Sequence, residues 1–269
     1  MDVYGLVGNP VGHSLSPAMH EAAYDALGVD ARYVSFEPDR GDLAAAVAGA
    51  RALGIEGINV TIPFKEEVLE LDGIIPDDSA QQIGAANTLD LSGETVTAHN
   101  TDATGARRAL IESGVTLQDA TVTVVGAGGA GRAITVSLVR AGANVRVVNR
   151  TLDRAERLAE EAGERVSAYP LSDVPSLLGD SDVLVNATSV GMETESSPVP
   201  AEAVHGELTV FDAVYRPLQT RLLRDAQAAG AKTIDGARML LYQGAAAFEI
   251  WTGHAAPVDE MERTLYDRL

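Results

Sequence analysis

Short apolar runs alternate with stretches of helical period along most of the chain. Val3–Val7 and Arg32–Phe36 read as strands, Ser16–Leu27 and Asp39–Leu53 as helices, the second opened by Asp39 and closed by Gly54. Gly57–Ile62 is a strand, and Pro63 then opens a helix through Leu71, because a proline's missing N–H is harmless in a first helical turn. Asn87–Leu91 and Thr95–Asn100 are short strands with a turn at Ser92-Gly93. A second alternation follows: helix Thr104–Ser113, strand Thr121–Val125, helix Ala130–Ala141, strand Asn144–Val148 and helix Leu152–Ala162. Strands Asp182–Asn186, Thr209–Asp212 and Lys232–Ile234 come next, and helices Ala237–Trp251 and Val258–Leu269 close the chain. Strand–helix alternation of this kind predicts an α/β fold with parallel sheets. The two alternations predict two α/β units that meet near Thr101–Gly105.

Composition narrows the function. The 269 residues, 46% of them apolar, suffice for one large domain or two smaller ones, each with a core. Cysteine is absent, which excludes disulfides, thiolate catalysis and Cys-ligated metal sites. The five histidines show no ligand spacing such as H-E-x-x-H, so no metal is expected. The formal charge of −19 argues against nucleic acid or an anionic membrane as the main partner. Of the 20 basic residues only Lys65 and Lys232 are lysine. A chain so acidic and so poor in lysine suits a cytoplasm full of salt, and a halophilic protein is expected. The first basic residue is Arg32 and no apolar run reaches 18 residues. Neither a signal peptide nor a membrane span is therefore expected, and the expected location is cytoplasmic.

The strand Thr121–Val125 runs straight into Gly126-Ala127-Gly128-Gly129-Ala130-Gly131, and a helix follows. This is G-x-G-x-x-G in a strand–turn–helix context, where glycines let backbone N–H groups approach a pyrophosphate at a helix N-terminus. An NAD site places an acid at the end of the next strand to bind the ribose 2′-OH. Here that strand ends Asn149-Arg150-Thr151, with Arg154 one turn further on. Cations are disfavoured at a helix start unless an anion binds there, so the local chemistry favours the 2′-phosphate of NADP.

The first unit carries the candidate chemistry. Ser14 and Ser16 lie between a strand and a helix, where hydroxyls can bind a ligand or cap the helix. Asn59-Val60-Thr61-Ile62-Pro63-Phe64-Lys65 sets Lys65 just past a parallel strand, the usual ligand end of an α/β sheet. Asn87 and Asp102 end mostly apolar segments. An Asp102–Lys65 pair would make a proton-transfer device; the plainer alternative is a structural ion pair with a capping Asp.

These segments, in this order, resemble the shikimate dehydrogenase family. The likeness runs nearly the whole chain and takes in Asn186-Ala187-Thr188-Ser189-Val190-Gly191-Met192, Asp212-Ala213-Val214-Tyr215 and the helix holding Gln243. The departures are Glu21, where Asn is common, and Arg221, where Pro is common. The resemblance implies an N-terminal substrate domain, residues 1–103 plus 237–269, and a Rossmann-type NADP-binding domain, residues 104–236, with a cleft between them. It implies substrate contacts from Ser14, Ser16, Thr61, Lys65, Asn87, Asp102, Tyr215 and Gln243. Gly126, Ala127, Gly128, Gly129, Ala130, Asn149, Arg150, Thr151, Arg154, Ala213 and Gly236 would lie along NADP, with Asp78 near the nicotinamide side. The implied reaction is reduction of 3-dehydroshikimate to shikimate, with Lys65 and Asp102 catalytic, and a homodimer is compatible with it. Three other readings share parts of the pattern. Arg150 argues against an NAD-using quinate/shikimate dehydrogenase, Ser14-Leu15-Ser16 against a methylene-tetrahydrofolate dehydrogenase, and the joint presence of Lys65 and Asp102 against a catalytically dead sensor.

The charge yields a direct prediction. Going from molar salt to about 0.01 M lengthens the screening distance from about 3 Å to about 30 Å, so carboxylate repulsion then acts across the whole molecule. Thermal midpoint and turnover are expected to rise with KCl into the molar range. A chain fully folded and fastest at about 0.01 M salt, with no gain on adding KCl, would contradict this.

Overall fold

The strands sort into two six-stranded sheets in a computed structural model that describes all of residues 1–269. The chain divides into two units, residues 1–104 with 241–268, and residues 105–240 with Leu269. In the first unit the order is β1 (Asp2–Val7), α1 (Ser16–Leu27), β2 (Ala31–Phe36), α2 (Leu43–Ala52), β3 (Gly57–Val60), β4 (Ile74–Pro76), α3 (Asp78–Ile83), β5 (Thr88–Asp90) and β6 (Val96–His99). Its sheet runs β2-β1-β3-β5-β6-β4. β1 is parallel to β2 and β3, but β5 is antiparallel to β3 and β6, so the sheet is mixed and not parallel throughout. The tight connection over residues 91–95 explains this, because a short link can join only antiparallel neighbours.

Two further expectations need correction. The second helix begins at Leu43, not Asp39; residues 39–42 form a turn closed by Asp42 N–H on Asp39 O. Pro63 opens no helix through Leu71: only Glu67–Glu70 forms a short 3-10 turn. Phe64 and Val68 are drawn into the core, and the Lys65 carbonyl accepts from Ala86 N–H at 2.8 Å. The Lys65 carbonyl is thus taken by a neighbouring loop, while Val68 N–H still bonds Phe64 O at 2.9 Å within the segment. β4 and α3 were not anticipated, since three and six residues are too short to show a period.

The second unit follows α4 (Thr101–Glu112) with β7 (Thr121–Val125), α5 (Gly129–Arg140), β8 (Asn144–Asn149), α6 (Leu152–Ala162), β9 (Val166–Pro170), α7 (Val174–Leu178), β10 (Val183–Asn186), β11 (Thr209–Asp212), α8 (Arg221–Ala228) and β12 (Lys232–Ile234). Its sheet is parallel throughout, in the order β12-β11-β10-β7-β8-β9. Val183-Leu184-Val185 is fully enclosed, as a strand covered on both faces must be. The order reverses direction at β7, so the Gly-rich turn after β7 stands at the topological switch point of a Rossmann-type sheet. No helix is long and apolar enough to cross a membrane.

Helices α9 (Gly236–Thr252) and α10 (Val258–Tyr266) close the chain, and residues 241–268 belong to the first unit. There Phe248 stacks on Tyr24 at 5.7 Å, and Trp251 stacks on Tyr4 at 5.1 Å while its indole N–H bonds Leu89 O at 2.9 Å. His20 is the polar member of this aromatic cluster. It is fully buried, stacks on Tyr33 at 4.4 Å, and neither ring nitrogen has a hydrogen-bond partner.

Burial lowers the His20 pKa to about 3, so the folded protein holds it neutral. The unfolded chain takes up the proton near pH 6.5, and stability is therefore complete above that value and lost as pH falls from 6.5 toward 3. Between pH 7.5 and 5.5 this residue alone is expected to remove about 1.4 kcal/mol. Denaturant midpoints of wild type and His20→Phe at the two pH values test it: the variant should lose correspondingly less, and equal losses would refute the assignment.

Candidate functional site

In the first unit the carboxyl ends of neighbouring parallel strands gather polar side chains. β1 runs into the loop that carries Ser14 and Ser16, and β3 runs into Thr61, whose N–H bonds Val7 O at 2.8 Å. The loop after β1 is held from below by Glu37, one carboxylate oxygen of which accepts from Val11 N–H at 2.7 Å and Gly12 N–H at 3.0 Å. Ser14 Oγ accepts from Ser16 N–H at 3.2 Å, so it does part of the work of a helix cap, while Leu15 occupies the cap position itself. Ser16 is buried and Ser14 and Thr61 are half-buried.

Lys65 and Asp102, 37 residues apart in sequence, meet at 2.5 Å between Nζ and Oδ2. Their side chains are 30% and 18% exposed, open enough to meet a ligand and closed enough to limit screening. The other carboxylate oxygen accepts from Asn87 Nδ2 at 3.0 Å. Asn87 also reaches Gln243 Oε1 at 3.5 Å. Gln243 is 8% exposed, a buried residue and not a solvated helix edge. The structure thus joins four of the expected substrate residues, Lys65, Asn87, Asp102 and Gln243, in one set of hydrogen bonds.

The polarity of that set is fixed from behind. Thr101 N–H donates to Asn87 Oδ1 at 2.7 Å, which compels the Asn87 amide to present its NH₂ to Asp102. Thr88 and Thr101 hydroxyls also lie within 3.2 Å of that oxygen. Asn59 Nδ2 donates to Asn87 O at 3.1 Å and to Thr88 Oγ1 at 2.9 Å, and its Oδ1 accepts from the Tyr33 hydroxyl at 2.7 Å. Burial pushes the Tyr33 phenol far above its usual range and keeps it a donor. Glu21, one of the departures noted above, accepts from Tyr33 N–H at 2.6 Å. Neither Asn59 nor Tyr33 was among the expected site residues. Asn59 could have been found as a polar residue inside the buried strand Gly57-Ile58-Asn59-Val60; nothing in the sequence marks Tyr33.

The remaining candidates lie elsewhere. Asp78 is exposed on the first turn of α3. Tyr215, Ala213 and Gly236 belong to the second unit, Tyr215 and Ala213 on the loop after β11 and Gly236 at the start of α9. In that unit Gly126 has φ +114°, and a Cβ there would lie 2.9 Å from Thr188 Cγ2. A Cβ on Gly131 would lie 1.9 Å from Gly126 O, so helix α5 can pack on the turn only with glycine at this position. Gly128 and Gly129, by contrast, are exposed and have open space around them. Ala127 N–H bonds Asn149 Oδ1 at 3.3 Å, which ties the turn to the end of β8. Arg150, Thr151 and Arg154 stand exposed at the start of α6. The turn is therefore closed on its protein side and open on the other, where the first N–H groups of α5 have no helical acceptor. Free backbone N–H groups at a helix N-terminus suit an anion such as a pyrophosphate, and the two exposed guanidinium groups at the start of α6 carry the positive charge that a 2′-phosphate would need.

A Rossmann-type unit with this turn, in one chain with a unit holding an ammonium–carboxylate pair, defines an oxidoreductase dependent on a nicotinamide dinucleotide. Comparison with known proteins narrows this. The family described as shikimate dehydrogenase substrate binding domain matches residues 6–89, shikimate / quinate 5-dehydrogenase matches residues 108–196, and the shikimate 5'-dehydrogenase C-terminal domain matches residues 236–266. The shikimate dehydrogenase (NADP(+)) of Haloarcula marismortui is 56% identical over 269 residues, all of both chains. A solved shikimate dehydrogenase in complex with NADP+ is 39% identical, with a TM-score of 0.93 over 100% of this chain and 96% of its own. That of Thermus thermophilus in complex with NADP(H) and shikimate is 41% identical, with a TM-score of 0.91 over all of both chains. The chain belongs to the shikimate dehydrogenase family.

Proposed function

We infer that this chain catalyses the reversible, NADP-dependent reduction of 3-dehydroshikimate to shikimate, a step toward the aromatic amino acids. The observation that carries the assignment of chemistry is the Lys65–Asp102 pair, oriented by Asn87. When bound, NADPH supplies the hydride to the ketone carbon. The carbonyl π pair moves onto oxygen, and the Lys65 ammonium stabilises the developing alkoxide and gives it a proton. Asp102 holds the ammonium through Oδ2 and leaves Oδ1 to Asn87. In the oxidative direction Lys65 takes the proton back from the hydroxyl. Ser14, Ser16 and Thr61, at the ends of β1 and β3, offer hydroxyls to the rest of the substrate, with Gln243 and Tyr215 assigned to the same task by family position. We assign residues 1–103 with 237–269 to the substrate and 104–236 to NADP. Gly126 through Ala130, Asn149, Arg150, Thr151, Arg154, Ala213 and Gly236 are assigned to the cofactor, as is Asp78 by family position alone. A cytoplasmic location accords with such a biosynthetic role.

Lys65→Ala should bind shikimate nearly as well as wild type and lose about 10²–10⁴-fold in turnover, the usual contribution of a general acid–base group. Retention of more than about a tenth of wild-type kcat would demote Lys65 to a binding residue. Arg150→Ala should weaken NADP binding roughly tenfold or more while leaving NAD nearly untouched, because only NADP carries the 2′-phosphate. Equal losses for the two cofactors, measured at matched ionic strength, would assign Arg150 a structural role.

A further inference from the structure

The carboxyl ends of β10 and β11 meet at a buried carboxylate that the reaction above does not use. Asp212 ends β11 and has no exposed surface. One of its oxygens accepts from Asn186 Nδ2 at 2.9 Å and from Val214 N–H at 3.0 Å; the other accepts from the Thr220 hydroxyl at 2.6 Å. Burial raises its pKa against the pull of these same bonds, so the group is costly to keep. Asn186 cannot turn over, because its Oδ1 accepts from Thr188 N–H at 3.0 Å and from the Thr188 hydroxyl at 2.7 Å, while Nδ2 also donates to Val190 O at 3.1 Å. Thr220 Oγ1 in turn accepts from Leu223 N–H and caps α8. One carboxylate therefore joins the segment after β10, the segment after β11 and the start of α8.

The first two segments leave little room for a side chain at glycines of the cofactor unit. Ala187 O would lie 3.0 Å from a Cβ on Gly126, and Ala187 Cβ 3.6 Å from one on Gly131. Ala213 O and Val214 O would lie 2.5 Å and 2.6 Å from a Cβ on Gly236. The tie to the turn is direct: Ala187 N–H bonds Val125 O at 2.8 Å, next to Gly126, and Ala213 N–H bonds Asn186 O at 2.9 Å, so a shift in either segment is passed on to the Gly-rich turn or to the close approach at Gly236. We propose that Asp212, with Asn186 and Thr220, is a positioning residue for the dinucleotide: it sets where the Gly126 turn and the Ala213 backbone stand, without touching the ligand. The inference rests on the assignment of NADP to this unit.

Asp212→Asn keeps the size but replaces one acceptor by an NH₂ donor. With its oxygen toward Asn186 and Val214, the new amide donates to Thr220 Oγ1, and the Thr220 proton loses its acceptor. Titration calorimetry in molar KCl, well below each variant's midpoint, should show NADP Kd raised roughly tenfold and shikimate Kd within about twofold of wild type. Thr220→Val should weaken NADP binding in the same direction, and Thr220→Ser, which keeps the hydroxyl, should restore it. A merely structural carboxylate would lower the midpoints and leave NADP Kd alone; wild-type NADP affinity in both Asp212→Asn and Thr220→Val overturns the inference. If Asp212→Asn fails to fold, the Thr220→Val and Thr220→Ser pair decides. Absence of NADP binding by the wild type would overturn the functional assignment itself, an outcome distinct from wild-type binding that the variants leave unchanged.

Discussion

A lysine ammonium held half-buried is useful for proton transfer only while its carboxylate partner stays charged and still. Asp102 is held still because its second oxygen is occupied by the Asn87 amide. Asn87 in turn has no freedom of its own: a backbone N–H fixes its oxygen, and Asn59 and Thr88 surround its backbone and side chain. The directions of the Asn59 and Asn87 amides follow from groups that cannot reverse, a main-chain carbonyl and an amide N–H. The geometry of β3, β5 and β6 therefore sets the geometry of the ion pair. The antiparallel turn of β5 into this sheet brings residues 59, 87, 88 and 101 within bonding distance of one another.

The fold was legible where a local pattern sufficed. The Gly-rich turn could be read because strand, turn and helix are contiguous, and the structure places it at the switch point of a parallel sheet. Lys65 and Asp102 could be paired because each follows a strand end, and the hydrogen bond between them matches that reading. The failures share a cause. Pro63–Leu71 has a helical pattern, yet its Lys65 carbonyl is claimed by Ala86, a tertiary bond no local pattern announces. The antiparallel pairing of β5 with β3, and the partners of Tyr33 and Asp212, likewise depend on residues far away in sequence. Glu21 and Arg221, the two departures from the family pattern, both sit in bonds of their own: Glu21 with Tyr33 N–H, Arg221 with Asp225.

The two units handle buried polarity in the same way. Each puts an amide side chain, Asn87 or Asn186, at the end of a strand or just before one, and locks its oxygen with a backbone N–H so that its NH₂ faces a carboxylate. In the first unit that carboxylate is partly open and holds an ammonium. In the second it is closed and holds loops. A shared local device thus holds an ammonium in one case and loop backbone in the other.

The chain has a single tryptophan, and its indole lies in the first unit, stacked on Tyr4 and bonded to the carbonyl of Leu89, two residues from Asn87. Tyr24 and Tyr33 belong to the same aromatic cluster. The tryptophan emission of this protein is consequently a reporter of one half, fed by energy transfer from tyrosines in its own cluster. Far-ultraviolet circular dichroism averages over both sheets. An unfolding curve followed by emission and one followed by dichroism are therefore measurements of different objects, and any gap between them measures how independently the two halves come apart.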